Sequence, residues 1–160
     1  MTTETLYHIA LVLHIIAIIM VAGTTLVDYV MFKQFWKQLE TDKQRGMTIL
    51  AAMSKSPMLF GIGFLLIIIS GVYMMAATHG AFGEQTWFRI KFGLIILIIL
   101  NGLIIGRKQG KKLKGILSET NTGKNIEADL VKIKRNMGLF HVSQLLMLVI
   151  IFVLSVFKFN

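Results

Sequence analysis

Residues 5–31 read TLYHIALVLHIIAIIMVAGTTLVDYVM, an apolar run in which His8, His14 and Asp28 are the main interruptions. At 1.5 Å per residue, a helix over this run is long enough to cross a hydrocarbon layer of about 30 Å, which takes roughly 20 residues. Three more runs have the same character, 57–77, 87–106 and 137–157. A chain of 160 residues that is 55% hydrophobic and only 16% charged has too little polar surface to cover a water-soluble globule. The expected fold is therefore an all-α membrane protein, a bundle of four transmembrane helices with helical cytoplasmic extensions. It forms one domain over residues 1–160, because four spans leave no room for a separate soluble part.

Only Met1-Thr-Thr-Glu4 stands before the first run, without the positive region of a secretory signal, so that run reads as a retained first helix. The formal net charge of +9 is unevenly placed. Lys33, Lys37, Lys43, Arg45 and Lys55 follow span one. Arg107, Lys108, Lys111, Lys112, Lys114, Lys124, Lys132, Lys134 and Arg135 follow span three, whereas the turn between spans two and three holds only His79 and Glu84. The excess of Lys and Arg on cytoplasmic loops places both termini outside, in a multi-pass protein of the cell inner (plasma) membrane. These cations flank membrane segments, so topology and anionic lipid headgroups account for them and nucleic acid is not an expected partner.

Phe32, Phe35, Trp36 and Leu39 continue an apolar stripe at helical spacing among Lys33, Lys37 and Gln38, which extends span one beyond the membrane. Pro57 follows Ser56 at the first turn of span two, where proline costs little. Gly61, Gly63 and Gly71 suit close helix contacts. The third loop opens with the polar stretch Gly110-Lys-Lys-Leu-Lys-Gly115 and has turn chemistry again at Asn121-Thr-Gly-Lys124. Ile126, Leu130, Ile133 and Met137 then lie on one face of an amphipathic helix over about 124–136 that leads straight into span four, capped by Asn121 or Thr122. One long helix is expected from about Lys124 to Phe157. No internal repeat is present to suggest two inverted transporter halves. The glycines and amphipathic extensions offer surfaces for a homodimer.

Polar groups inside hydrocarbon are costly unless satisfied, so each asks for a role. They are His14, Thr25 and Asp28 in span one; Ser70 and Tyr73 in span two; Arg89, Lys91 and Asn101 in span three; and His141, Ser143 and Gln144 in span four. At 100° per residue Tyr7, His14, Val21, Thr25 and Asp28 share a direction to within about 40°, while His8 points about 120° from His14. Centring each run in the bilayer puts His14 about 5 Å and Lys91 about 9 Å toward the outside, and His141 about 9 Å toward the cytoplasm.

Cysteine is absent, which removes disulfides, iron–sulfur clusters and thiolate ligation. No histidines stand at i, i+4, there is no H-E-x-x-H, and no carboxylates cluster with them, which gives zinc or di-iron little footing. The ten methionines are mostly isolated, which suits packing better than copper handling. Spaced single histidines in an apolar bundle suit haem b, which takes axial nitrogen ligands, an apolar slot between helices and interfacial cations for its propionates. His14 is the first candidate metal ligand and His141 a further one, with Arg89 and Lys91 placed for the propionates. The other role open to each histidine is a hydrogen bond to a neighbouring helix, and it is the favoured one for His8 and His79 near the surface.

Leu13-His-Ile-Ile-Ala17 with Ala22-Gly23 resembles the opening helix of HemJ-type protoporphyrinogen oxidases and the related CopD-like membrane proteins. Ser56-Pro-Met58 with Gly71-Val-Tyr73 resembles their second helix, and Trp87-Phe-Arg-Ile-Lys91 resembles the Trp-x-x-x-Lys start of their third. The resemblance implies a four-helix membrane protein that binds haem b, with His14 and Lys91 at the family's functional His and Lys. The chain departs from that pattern at Asn101, where a histidine is usual, in His141-Val-Ser-Gln144, and in its long basic third loop. Three readings follow. The first is a haem b protein with a redox or gas-reactive role toward oxygen or nitric oxide. The second is a haem-dependent oxidoreductase acting on protoporphyrinogen IX, with a quinone or another membrane electron carrier as partner. The third is a non-catalytic metal-handling or assembly protein.

Overall fold

The structure is a computed structural model that describes residues 2–81, 83–118 and 126–158, all of its regular elements being helical. In chain order these are α1 (Thr3–Thr41), α2 (Lys43–Met53), α3 (Ser56–Ala77), α4 (Thr86–Asn101), a π-helical turn (Gly102–Gly106), α5 (Arg107–Ser118) and α6 (Ile126–Phe157). Four stretches are long and apolar enough to cross a membrane: Thr3–Thr41, Lys43–Ala77, Thr86–Leu117 and Ile126–Phe157. Their surface agrees with that environment. Ile19, Leu65, Ile104 and Leu146 are each more than half exposed, as are many other large apolar side chains on these helices, far beyond the patches that water-soluble monomers present. The expected all-α class with four spanning helices is thus what the chain adopts.

The chain divides into two compact units, one extending to Arg89 and the other covering Ile90–Val156. In the first, Thr2 caps α1 by accepting from the Thr5 N–H. Asp42 both ends α1, its N–H reaching the Gln38 carbonyl at 2.7 Å, and begins α2, its carboxylate accepting from the N–H groups of Gln44 and Arg45. This single residue reverses the chain, and α2 packs back along α1. Gly46 makes the return tight enough that a methyl group there would lie 3.1 Å from the Leu39 Cα. Phe32, Phe35 and Trp36 are buried at this end, with ring centroids 5.1 Å apart for Phe35 and Trp36, while Lys33 and Lys37 stay exposed. The apolar stripe expected from Phe32 to Leu39 is thus a helix-packing face. Nothing in the sequence periodicity distinguished α2 as a separate helix.

α1 and α3 form an antiparallel hairpin. Three contacts define its register: His14 with Ser70, Val21 with Gly63, and Asp28 with Ser56. The partners step by seven residues on each helix in opposite directions, the repeat that keeps one seam of two helices in continuous contact. Lipid tails are as apolar as the side chains, so association rests on close packing and a few polar bonds. Gly63 is the close point, where an added Cβ would sit 2.9 Å from Val21 Cγ2 and 3.2 Å from Met20 Cβ. At the far end, His79 and Gly80 take positive φ of 52° and 74°, and the Gly80 N–H reaches back to the Met75 carbonyl at 2.9 Å. This left-handed cap closes α3 before the turn into α4.

In the second unit α4 runs through the π-helical turn into α5, where the Arg107 N–H bonds the Gly102 carbonyl five residues back. The segment beginning Gly110-Lys-Lys-Leu-Lys-Gly115, expected as a polar loop, is helical. Its glycines do not break the helix because Leu113 is anchored at 1% exposure while the lysines ride on the opposite side. α6 runs antiparallel to this element, Gln144 meeting Ile98 and Asp129 meeting Lys112, and its Ile133, Met137, His141 and Gln144 are buried. Gly106 admits the Phe140 ring, since a Cβ there would meet Phe140 Cζ at 2.9 Å. The expected start of this helix near Lys124 and its cap at Asn121 or Thr122 fall outside the described residues, and the helix is described from Ile126.

Gly63→Ala should destabilise the protein by about 1–3 kcal/mol through overpacking, whereas Gly61→Ala, whose Cβ would meet nothing within 4 Å, should be neutral or slightly stabilising. Reversible unfolding in detergent micelles compares the two; equal effects would show that Gly63 is not the contact point.

Candidate functional site

His14 lies half-buried on α1, on the face that also carries the buried Val21 and Thr25. Its Nδ1 is 2.8 Å from Ser70 Oγ on α3. That oxygen is also 2.5 Å from the Leu66 carbonyl and 3.2 Å from that of Ile67. A hydroxyl has one proton to give, and a carbonyl oxygen has none. The short contact to Leu66 therefore takes the Ser70 proton, and Ser70 Oγ accepts from the His14 Nδ1–H. The tautomer follows: Nε2 carries the lone pair. Gly71 lies beneath the ring, where a Cβ would stand 3.5 Å from His14 Cε1, so the imidazole rests against backbone.

About four helical turns along the same seam, the Ser56 hydroxyl faces the Asp28 carboxyl group. The second oxygen, Oδ1, is enclosed without a hydrogen-bond partner among the described residues. Thr25, between these two polar pairs, returns its hydroxyl to the Val21 carbonyl at 2.8 Å and so asks nothing of its neighbours.

Arg89 and Lys91 begin the third span. The Arg89 Nε donates to the Gly83 carbonyl at 3.3 Å, tying the guanidinium to the turn that precedes α4. Lys91 is half-buried. Beside them Trp87 is buried and its indole N–H donates to the Gln85 side chain. His141, at 4% exposure, belongs to the second unit, packed edge-on to Phe140 with centroids 5.0 Å apart. Around it, Gln144 donates to the Ile98 carbonyl at 3.1 Å, and Asn101 donates to Ser143 Oγ at 2.9 Å, which passes its own proton to the Phe140 carbonyl. Asn101 and Ser143 sit in an apolar groove of about 310 Å³ walled by Leu97, Leu100, Ile104 and Met147. The groove contains no histidine and is at the small end for a ligand pocket. His79 serves as the cap of α3, and His8 is exposed with its ring against Tyr7.

Among the described residues no three His, Cys, Asp or Glu side chains gather as a metal cluster. What the first unit offers is one imidazole with its tautomer defined by a second helix. Sequence reasoning named both His14 and Ser70 but did not pair them. The signal was present in the seven-residue steps of small residues Ser56, Gly63 and Ser70, which mirror Asp28, Val21 and His14.

A double-mutant cycle over His14→Ala and Ser70→Ala should return a coupling of about 0.6–1.7 kcal/mol, the range of interhelical hydrogen bonds in membranes. Additive effects in detergent unfolding would mean that the two side chains do not meet.

None of the curated proteins and none of the solved structures matches the chain. A family model described as "Predicted integral membrane protein (DUF2269)" matches residues 8–159, which include all four spanning helices but for residues 3–7 of the first. The chain belongs to the DUF2269 family of predicted integral membrane proteins.

Proposed function

We propose that this integral membrane protein binds haem b, which His14 would hold through Nε2, and has a redox or gas-reactive role. One observation carries the reading: Ser70 accepts from His14 Nδ1–H, which leaves the lone pair on the nitrogen that would face a metal. Ligating histidines are commonly held in this way, the far ring N–H given to a fixed acceptor that sets orientation and raises basicity. The donor set fits a haem better than a bare metal ion, which would need several ligands together. The resemblance of Leu13-His-Ile-Ile-Ala17 and Trp87-Phe-Arg-Ile-Lys91 to HemJ-type and CopD-like proteins supports the same choice.

Bound haem would supply one-electron or diatomic-gas chemistry. The residues of this chain would do the rest. His14 holds the ligand nitrogen, Ser70 keeps its tautomer, and Gly71 leaves the ring edge without a competing side chain. Arg89, held by the Gly83 carbonyl, is the cation of the first unit offered to a propionate, and Lys91 and His141 are the candidates that the second unit carries. Oxidation of protoporphyrinogen IX with electrons passed to a quinone is the enzyme form of this reading, with the same residues.

The same reading puts the protein in the inner (plasma) membrane with both termini outside, an orientation that the excess of Lys and Arg after spans one and three supports. Because the chain has no cysteine, single substitutions report on this directly. Thr3→Cys should react with an impermeant maleimide on intact cells, and Lys114→Cys only after permeabilisation; the reverse pattern would invert the topology.

The full chain, expressed with ample haem and purified, should show a Soret band. His14→Ala should abolish it, His141→Ala should retain it if that residue is not an obligatory ligand, and Ser70→Ala should weaken haem affinity by about 10–100-fold. A wild-type protein without a Soret band sinks the proposal; where the band is present, a carbon monoxide difference spectrum separates a site open to gas from a closed one.

A further inference from the structure

α5 and the first turns of α6 carry Arg107, Lys108, Lys111, Lys112, Lys114, Lys132, Lys134 and Arg135 against the carboxylates Glu127 and Asp129. A loop would spread these cations in solvent. A helix sorts them: at 100° per residue the five on α5 occupy an arc of about 160°, and the buried Leu113 points the opposite way. Two ties hold this helix to α6, the Lys112–Asp129 ion pair at 2.8 Å and, nearer the membrane, the Phe140 ring against Gly106. Arg107, Lys108 and Lys111 lie between those ties on α5, and Lys132 and Arg135 lie between them on α6, all five exposed.

Their depth is set by the spans. From Thr86 the helix rises about 30 Å to Gly106, a full hydrocarbon thickness, so Arg107 to Lys111 occupy about the next 6 Å. On α6, Lys132 and Arg135 stand about 3–8 Å outside Met137, where the fourth apolar run begins. The polar headgroup layer is about 5–8 Å deep on each side. Positive-inside topology accounts for cations on this side of the membrane, but it requires neither a helical arc nor a fixed partner helix.

We propose that Arg107, Lys108, Lys111, Lys132 and Arg135 form a binding surface for the phosphate-bearing headgroups of anionic lipids in the surrounding bilayer. The surface is independent of the haem reading. Lys112 is its clip, held by Asp129, and Leu113 is its anchor. Each cation near a membrane surface contributes about fivefold in association with anionic lipid.

The test uses the full chain reconstituted in vesicles of phosphatidylcholine with a minor fraction of phosphatidylglycerol, extracted gently, and its retained lipids quantified. The wild type should retain phosphatidylglycerol several-fold above its bulk fraction. Lys108→Gln/Lys111→Gln/Arg135→Gln should return retention to the bulk ratio, and the charge-keeping Lys108→Arg/Lys111→Arg/Arg135→Lys should preserve it, which separates charge loss from misfolding. Lys37→Gln/Lys43→Gln/Lys55→Gln removes the same charge from the first unit and should leave enrichment intact. Equal loss in that control would mean diffuse attraction and overturn the site. Displacement of the lipid by millimolar inorganic phosphate would overturn the assignment to lipid, and retention at the bulk ratio in the wild type would overturn the proposal outright.

Discussion

A hydrocarbon layer offers no water to a buried polar atom, and this constraint organises the whole chain. Every spanning segment is helical because only then are backbone N–H and C=O groups satisfied within the segment. The same demand falls on side chains. Thr25, Ser70 and Ser155 return their hydroxyl protons to carbonyls four residues back, and Ser143 to one three residues back. The groups that cannot close on their own helix reach across to a partner: His14 to Ser70, Asn101 to Ser143 and Gln144 to the Ile98 carbonyl. Each hairpin is thus tied by polar bonds that have no aqueous competitor nearby.

Packing between helices cannot draw on a hydrophobic driving force, since the apolar faces are equally at home in lipid. It depends on how closely two backbones approach, and that explains why the glycines are unequal. Gly63 and Gly106 stand where a methyl group would collide with Val21 and Phe140, whereas Gly23, Gly61 and Gly93 face open space. Gly102 and Gly106 also bound the π-helical turn, where one wider loop of backbone shifts the register of everything beyond it. The rotation set there helps decide which side of α5 carries Leu113 inward and which carries the lysines outward.

The hydrogen bond between His14 and Ser70 joins structure to chemistry. An imidazole has two nitrogens, and engaging one as a donor defines the other as a lone-pair site. A contact that clasps two helices therefore also orients the ring, through one nitrogen and not the other. Asp28 differs, because its Oδ1 is enclosed with no hydrogen-bond partner among the described residues.

Composition and run length alone determined the membrane class, the count of four spans and the polar face of α1, because those follow from hydropathy, 1.5 Å per residue and 100° per residue, all local quantities. His14, Lys91, Arg89 and His141 could be named as candidates for the same reason: an ionisable group inside an apolar run is visible without knowing its neighbours. Pairings could not. Ser70 as the acceptor for His14, the return of α2 along α1 through Gly46, and the use of Gly106 as a seat for Phe140 each join residues far apart in the chain. The helicity of 107–118 was also hidden, since Gly110, Gly115 and a run of lysines carry local turn preferences. Tertiary structure overrode those preferences by anchoring Leu113 and pairing Lys112 with Asp129, contacts that exist only once α6 lies alongside.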